Sequence, residues 1–272
     1  MSVSIKLLCC VTGMVLLFAL IGCNEQVTIS GATNPVELLN NAANGTTLHA
    51  IIVADTNAND IESSVRSDLH NMSAFVDNVA NNTGLTLNKL LISGDDVTLA
   101  KVRDTLKNLP AGPGDVVIFH YSGHGGRPSD EKTRWPHMYF TSDVEGEGLN
   151  LNDVFVTLTH DGPRFLLVMS DSCNSLVDAA EKTASVKALQ FADGTPEAYR
   201  ILFLETQGAI IASSSRPGEN SLGTEEGGLF TLQFLQAAQE GLASSQPDWQ
   251  MIMDNATQPI SDTQHPQYRI YL

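Results

Sequence analysis

Short apolar runs alternate with amphipathic helical stretches along most of this chain, and this alternation restricts its fold more than any other feature. The apolar runs have the length of strands, and their continuous hydrophobicity is typical of strands buried on both faces. Strands that alternate with helices form mostly parallel sheets covered on both sides. We therefore predict an α/β protein with three layers, α/β/α, around a mostly parallel central sheet. The predicted strands are Leu48–Ala54, Leu85–Ile92, Asp115–Tyr121, Arg164–Ser170 and Ala209–Ser213, and the predicted helices after the first are Val97–Leu109, Leu151–Thr159 and Gly228–Leu242.

The first predicted helix has the clearest periodicity. Six apolar residues spaced three or four apart form one stripe, the pattern of a helix with a single buried face. Asp60 stands before the stripe, where an aspartate can cap a helix, and Gly84 follows it, where a glycine can end one. Two later segments, Arg127–Asn150 and Leu176–Thr206, are too long for simple turns and are predicted to surround a site. The stripe consists of Ile61, Val65, Leu69, Met72, Val76 and Val79.

The chain is acidic, with 15 Lys and Arg against 31 Asp and Glu and a formal net charge of −16. A protein that neutralises phosphates needs the opposite charge on its working face, so nucleic acid is a poor candidate partner. Hydrophobic residues make up 42% of the chain, which fits neither wholesale disorder nor a multi-span membrane protein. The acidic balance favours partners with cationic groups, such as Lys or Arg side chains of another polypeptide.

The N-terminus has the layout of an export signal. One positive charge at Lys6 precedes the 16 uncharged residues Leu7–Gly22. A membrane-spanning helix needs about 20 apolar residues, so a permanent anchor is the weaker interpretation. Residues 20–23 read LIGC, which resembles the lipobox of bacterial lipoproteins. The resemblance implies cleavage before Cys23 and lipidation of that cysteine, and Asn24 after it favours the outer membrane over the inner one.

Export would divide the chain into three parts. We predict a signal peptide over residues 1–22 and a flexible tether over residues 23–47, which are rich in Asn, Thr, Ala and Gly. The folded domain then covers residues 48–272.

The same interpretation changes the cysteine count. Loss of the signal peptide removes Cys9 and Cys10, and acylation uses Cys23, so Cys173 is the single thiol of the mature chain. Exported proteins usually pair their thiols, and a single one is either well buried or kept for reactivity. The residues around Cys173 must distinguish these two possibilities.

Polar clusters follow two of the predicted strands directly. His124 lies in the cluster YSGHGG after one strand, and Cys173 lies in the cluster DSCNS after another, 49 positions later. Carboxyl ends of parallel strands face the same edge of a sheet, so we expect His124 and Cys173 to meet there. The glycines around the histidine leave room for a substrate and direct backbone N–H groups towards it.

The two clusters resemble the paired histidine and cysteine motifs of the caspase-like cysteine peptidases, and among these the metacaspases. His120–Gly125 reads HYSGHG, and Asp171–Ser175 reads DSCNS where the family has DSCHSG. The chain departs from the pattern at Asn174, usually His, and at Leu176, usually Gly. A histidine about 50 residues upstream of the cysteine is a known caspase spacing. With the later segment GGLFT, residues 227–231, the resemblance extends over residues 48–234.

The resemblance implies a caspase-like fold, a polypeptide substrate and roles for individual residues. Cys173 becomes the nucleophile and His124 the acid/base, and the backbone N–H groups of Gly125 and Cys173 become the oxyanion donors. Asp171 and Asp68 become the walls of an acidic S1 pocket, which implies cleavage after Arg or Lys. No third member of a catalytic triad is assignable from the sequence.

Other interpretations of the same residues stay open at this stage. Cys173 could be a buried small hydrophobe, Asp68 an exposed helix charge, and His120 a residue that packs at its strand end. A zinc site of His120, His124 and Cys173 is a weaker hypothesis because the spacing does not suit a helical pair of ligands. The acidic stretch Asp143–Gly148 could bind calcium, which activates many metacaspases, but it lacks an EF-hand spacing and a solvated loop is favoured.

Two further functional hypotheses compete with the peptidase. The departures at Asn174 and Leu176 suggest a catalytically weak or inactive caspase-like lipoprotein that binds peptides or proteins. A different thiol-dependent acyl transferase with the same two residues is the third hypothesis.

Overall fold

The computed structural model describes residues 46–143, 147–160, 162–176 and 194–272. The predicted signal peptide, the lipidated Cys23 and nearly all of the predicted tether lie outside the described residues. All described residues belong to one unit, Leu39–Leu272. Among the helices of this described part, none has the length and apolar character needed to cross a membrane.

The strands and helices alternate as the sequence predicts. Most predicted boundaries agree within one or two residues, and the predicted helix Leu151–Thr159 is observed over the same residues. The strands are β1 (Thr47–Ala54), β2 (Thr86–Ser93), β3 (Val116–Ser122), β4 (Gly125–Gly126), β5 (His137–Tyr139), β6 (Gly148–Asn150), β7 (Phe165–Asp171), β8 (Gly208–Ser213), β9 (Gly223–Thr224), β10 (Gly227–Gly228) and β11 (Gln267–Tyr271). The helices are α1 (Glu62–Thr83), α2 (Leu99–Lys107), α3 (Leu151–Thr159), α4 (Pro196–Tyr199), α5 (Leu229–Ala243) and α6 (Trp249–Ala256), with a 3₁₀ turn at Gly94–Asp96 and a π-helical segment at Arg200–Glu205.

Six strands form the central sheet in the order β11-β8-β7-β3-β1-β2. The five strands β8, β7, β3, β1 and β2 are parallel to their neighbours. The edge strand β11 pairs with β8 in the antiparallel direction. Every residue of β3 and of β7 is buried, as expected for strands that are covered on both faces. The mostly parallel sheet of the prediction is confirmed.

Side chains of each central strand alternate between two separate cores. In β1, Ala50 and Ile52 join a core with residues of α1, α5 and α6, whereas Ile51 and Val53 join a core with residues of α2 and α3. Helices therefore cover both faces of the sheet, and the three-layer fold is confirmed. The first core is rich in aromatic contacts, with the ring of Trp249 stacked 4.8 Å from that of Phe165.

Helix α1 confirms the predicted stripe and corrects its start. Val65, Met72, Val76 and Val79 are buried. The helix ends as predicted, with Gly84 in the left-handed conformation at φ 72° and its N–H donated to a carbonyl of the last turn. The prediction that Asp60 caps the helix is wrong, because Ile61 occupies the N-cap position and no side chain there bonds the first turn.

The segments that the sequence left without structure hold short strands. The strands β5 and β6 lie within the predicted excursion Arg127–Asn150 and form a small antiparallel sheet with β4, which directly precedes it. The strands β9 and β10 form a hairpin directly before α5. A strand of two or three residues is too short to show an alternation of apolar and polar residues in the sequence. Such strands are therefore recognised only by their hydrogen bonds to neighbouring strands.

Candidate active site

The two polar clusters meet at the carboxyl edge of the central sheet. Strands β3 and β7 are neighbours, and their register sets Ser122 opposite Asp171 at the end of both strands. The N–H of Gly123 donates to the carbonyl oxygen of Asp171 at 3.4 Å. The predicted meeting of the histidine and cysteine segments follows directly from this parallel register.

Gly125 lies against the cysteine segment so closely that a side chain does not fit. A Cβ built on Gly125 would lie 2.7 Å from the carbonyl oxygen of Cys173 and 2.6 Å from the Cβ of Ser172. The residue after His124 thus touches the backbone that carries the thiol. The structure brings together the two segments predicted to supply the oxyanion donors, and the donor role itself stays a prediction.

Cys173 is 6% exposed and lies beneath a later loop. Its Sγ accepts the backbone N–H of Ser221 at 3.3 Å. Two backbone bonds join the loops beside this contact, from Asn174 N–H to Glu219 O at 2.9 Å and from Gly218 N–H to Asn174 O at 2.8 Å. The Sγ also lies 3.9 Å from the carbonyl oxygen of Ser221, so both backbone groups of that residue contact the thiol.

The main chain of His124 is held on two sides. Its carbonyl oxygen accepts the hydroxyl of Tyr121 at 2.7 Å and the N–H of Tyr139 at 3.0 Å. Its imidazole remains about one-third exposed, and Nε2 lies 3.0 Å from Oδ1 of Asp60. Sequence reasoning missed this contact because an aspartate before a helical stripe is typical of an N-cap.

A pocket opens next to the thiol at this edge of the sheet. Its empty volume is about 310 Å³, open solvent included. Side chains of α1, the ends of β3 and β7, and the hairpin before α5 contribute to its wall. The lining residues are Ile61, Ser64, Val65, Asp68, Ser122, Gly123, Asp171, Ser172, Cys173, Ser221, Leu222, Gly223 and Gly228.

Two buried carboxylates line this pocket. Asp68 accepts the hydroxyl of Ser122 at 2.6 Å and the N–H of Gly228 at 2.9 Å. Asp171 accepts the hydroxyl of Ser221 at 2.6 Å and both the N–H and the hydroxyl of Thr231, at 2.8 and 2.9 Å. Asp68 is 0% exposed, so the alternative of an exposed helix charge is wrong.

Burial changes the acidity of both groups. It raises the pKa of Asp68 well above its usual value, and the negative charge of Asp171 raises it further. Burial also raises the pKa of Asp171, against the hydrogen bonds that it accepts. Two carboxylates in one buried site resist ionising together, and a cation between them relieves that resistance.

His120 supports this pocket from the interior. It is 1% exposed in β3, which confirms the prediction that it packs at its strand end. Its Nε2 lies 3.1 Å from the hydroxyl oxygen of Thr231, the same hydroxyl that donates to Asp171. Burial lowers the pKa of His120 to about 3, so the ring is neutral and Nε2–H donates to the threonine.

The two departures from the family pattern have different surroundings. Asn174 is fully buried, and its amide donates to the carbonyl oxygens of Arg134 at 2.9 Å and Ser215 at 3.2 Å. It ties the cysteine segment to two other loops. Leu176 is 61% exposed.

The candidate metal ligands do not form a site in the part of the chain that the structure describes. Over residues 46–143, 147–160, 162–176 and 194–272, no group of three or more His, Cys, Asp or Glu side chains could hold a metal ion. The zinc hypothesis for His120, His124 and Cys173 is therefore wrong. Residues 144–146 of the predicted calcium stretch lie outside the described residues, and the carboxylate of Asp143 accepts the N–H of Leu99. Calcium as an activator therefore stays a prediction.

A parallel sheet covered by helices, with a cysteine and a histidine segment joined at its carboxyl edge, defines a caspase-like α/β protein. The sequence model of the Caspase domain family matches residues 21–270, so this chain belongs to that family. Membership supports cysteine peptidase activity in general. No curated protein matches the chain.

A solved structure supports the fold. The crystal structure of protein GSU0716 from Geobacter sulfurreducens is similar to this chain with a TM-score of 0.51. The match covers 82% of this chain and 93% of that one at 17% sequence identity. A likeness at this identity shows the fold alone.

Proposed function

We propose that this chain is a cysteine endopeptidase of metacaspase type that cleaves polypeptides after Arg or Lys, with Cys173 as nucleophile and His124 as acid/base. The observation that carries the proposal is the pair of buried carboxylates, Asp68 and Asp171, in the pocket that Cys173 also lines. Buried negative charge without a cation is costly, and a basic side chain supplies that cation.

The proposed reaction proceeds in two steps with a balanced transfer of protons. The Cys173 proton moves to His124, and the thiolate attacks the scissile carbonyl carbon. The C–N bond breaks, and His124 returns the proton to the leaving amine. A water molecule then attacks the thioester, with its proton taken by His124 and returned to the departing sulfur.

The oxyanion of each step needs donors close to the sulfur. The contact of Gly125 with the Ser172–Cys173 backbone supports N–H groups of Gly125 and Cys173 in this role. Loss of one such donor typically lowers the rate about 10²–10³-fold.

The preference for basic residues rests on the geometry of the acidic pair. Both carboxylates already accept hydrogen bonds from hydroxyl and N–H groups, which hold them in place. A guanidinium can bind a carboxylate with two parallel hydrogen bonds, whereas an ammonium binds as a point charge. We therefore propose that both Arg and Lys are accepted, with Arg preferred.

Turnover of fluorogenic peptides tests this proposal. We expect the full chain, purified in detergent, to cleave after Arg and Lys and not after Asp. Cys173→Ala and His124→Ala should abolish turnover with unchanged circular dichroism. Preference for an acidic residue at the cleavage position would overturn the pocket assignment.

Covalent labelling separates the peptidase from the binding module. A basic peptidyl chloromethyl ketone should alkylate Cys173, and mass spectrometry should locate the added mass on that residue. If Arg peptides bind the folded chain but are not cleaved, and the chloromethyl ketone does not alkylate Cys173, the chain is a peptide-binding protein and the enzyme assignment is wrong.

We also propose that the protein is an exported bacterial lipoprotein, held at the outer membrane through lipid on Cys23. The uncharged run Leu7–Gly22 and the LIGC ending support this location. Cells fed labelled fatty acid should incorporate it into the chain, and Cys23→Ser should remove the label. A labelled Cys23→Ser variant would contradict lipidation at this position.

A further inference from the structure

We propose that Asp60 is a positioning residue for His124, so that the proposed cysteine–histidine pair operates as a carboxylate–imidazole–thiol sequence. This inference rests on the proposed function, and it adds a residue that the sequence could not assign. The observation behind it is the 3.0 Å distance between Asp60 Oδ1 and His124 Nε2.

The placement of Asp60 in the chain favours this role over a purely local one. An aspartate before a helix ordinarily bonds the N–H groups of the first turn. Here Ile61 occupies the N-cap position of α1 without a side-chain bond to that turn. The carboxylate of Asp60 instead reaches a residue 64 positions further along the chain.

The contact selects one form of the imidazole. A carboxylate only accepts hydrogen bonds, so the nitrogen that faces Asp60 must carry a proton. With the proton on Nε2, Nδ1 becomes the basic nitrogen of the neutral ring. The thiol proton of Cys173 then moves to Nδ1, and the same proton passes on to the leaving amine, while the Nε2 proton stays in place throughout.

Asp60 also counters the charge that forms on the ring. Proton transfer from Cys173 creates an imidazolium, and the negative carboxylate stabilises it. Because the Asp60 side chain is 64% and the His124 side chain 36% exposed, water screens this attraction. We therefore expect an effect well below the roughly 10⁴-fold loss known for buried carboxylates in similar systems.

The start of α1 would then serve two purposes in the same site. Asp60 lies two residues before the first residue of α1 and contacts the histidine, and Asp68 lies about two turns later, in the proposed S1 pocket. Ile61, between them, lines the same pocket. One helix start thus aligns the acid/base residue with the subsite for the basic side chain.

Steady-state kinetics on an Arg peptide test the inference. We expect Asp60→Ala to lower kcat about tenfold and to change KM less than about twofold, since the S1 contacts remain. Asp60→Glu should recover part of kcat. Glu62→Gln is the matched control, because it removes a nearby exposed charge that bonds Arg66 instead of His124, and it should leave both constants unchanged.

Two kinetic results would overturn the inference. One is a kcat of Asp60→Ala equal to that of Glu62→Gln. The other is a loss of kcat in Asp60→Ala that is accompanied by a lower melting temperature of the chain. That result would indicate that Asp60 only supports the fold.

Nitrogen NMR of His124 gives a readout that does not require activity. Long-range ¹H–¹⁵N spectra of the Cys173→Ala chain should show the Nε2–H tautomer, and Asp60→Ala in the same background should shift the population towards Nδ1–H. An Nδ1–H tautomer in the Cys173→Ala chain would refute the contact, because a carboxylate that faces Nε2 requires a proton on that nitrogen. If the wild-type chain cleaves no Arg or Lys peptide, the proposed function fails, whereas the tautomer still decides the role of Asp60.

Discussion

Asp68 and Asp171 both lie where a side chain on Gly228 would have to be. A Cβ built on Gly228 would lie 2.2 Å from Oδ2 of Asp171 and 3.0 Å from Oδ2 of Asp68. The Gly228 N–H donates to the carboxylate of Asp68. The acidic pocket therefore depends on a glycine at the point where the hairpin before α5 passes both acids.

Replacement of this glycine should separate the two acids. We expect Gly228→Ala to lower kcat/KM for an Arg peptide by at least about tenfold, because a Cβ at that position forces one carboxylate away. Peptide cleavage assays measure the effect. Gly112→Ala is the control, since its Cβ would have only one neighbour, at an ordinary 3.7 Å, and it lies before β3 at the opposite edge of the sheet. Equal activity of the two variants would show that the acids do not bind substrate.

Binding of basic ligands should weaken as the pH falls. Burial raises the pKa of both Asp68 and Asp171, so the empty pocket takes up a proton at a higher pH than an exposed carboxylate would. A bound cation favours the fully ionised pair and expels that proton, and each proton released makes affinity change up to about tenfold per pH unit. The inhibition constant of a simple amidine, measured from about pH 5 to about pH 8, should therefore rise towards acid.

A variant of the acidic pair provides the control for this pH dependence. Asp68→Asn removes one titrating group, so its amidine inhibition constant should be higher and should vary less with pH. A constant that is independent of pH in the wild-type chain would contradict proton release on binding. The predicted rise of the inhibition constant towards acid pH follows from the raised pKa values of the two carboxyls. With depressed pKa values the pair would stay ionised over the same pH range, and the inhibition constant would not change.

Asn174 should be needed for stability even though the family usually has another residue there. Its buried amide donates to two backbone carbonyls that Gln267 Nε2 also bonds, so Asn174→Ala removes one donor from each and leaves the other in place. We expect the loss of two hydrogen bonds to lower the free energy of unfolding by about 1–3 kcal/mol, measured by chemical denaturation. Leu176→Ala, at the second departure, is exposed and should change stability by less than about 0.5 kcal/mol. Similar values for both variants would contradict a structural role for Asn174.

Glu131 should stabilise the small sheet in a pH-dependent way. Burial acts to raise its pKa, but hydrogen bonds from His137 and Thr133 outweigh burial and lower the pKa to about 2. A depressed pKa means that the stabilisation is present above the unfolded value of 4.5 and is lost as the pH falls towards 2. We expect Glu131→Gln to lower the unfolding free energy by about 1–3 kcal/mol at neutral pH.

Denaturation at several pH values checks this expectation. The difference between Glu131→Gln and wild type should shrink steadily below about pH 4.5. The exposed pair of Glu62 and Arg66 serves as the comparison, because Glu62→Gln should change stability by less than about 1 kcal/mol. A difference that stays constant with pH would show that the charge of Glu131 does not matter.

The elements that the sequence predicted correctly are those with long, regular patterns. The stripe of α1 repeats one periodicity over six apolar residues, and β1, β3, β7 and β8 are continuous apolar runs of strand length. The strands β4, β5 and β6 contain two or three residues each and exist through pairing with one another. Local patterns cannot encode such elements, because their hydrogen bonds connect residues that are distant along the chain.

The candidate site divides in the same way. The sequence alone identified Cys173 and His124 and the edge of the sheet at which they meet, since parallel strands carry whatever follows them to one side. It could not identify the partner of Asp60, because the same residue type before a helix serves equally well as a cap.

The amino-acid sequence by itself therefore determined the layers, the mostly parallel sheet and the two segments that hold the candidate site residues, since apolar patterns and strand ends are local properties. Only the tertiary structure decided that Asp68 is buried beside Asp171, that Ser221 N–H reaches the sulfur, and that Asp60 faces His124. Each of these contacts depends on the packing of remote elements, such as the bond between Asp68 and Gly228 across 160 positions. Burial and hydrogen-bond partners are properties of that packing, and they set which groups can hold a proton or a cation.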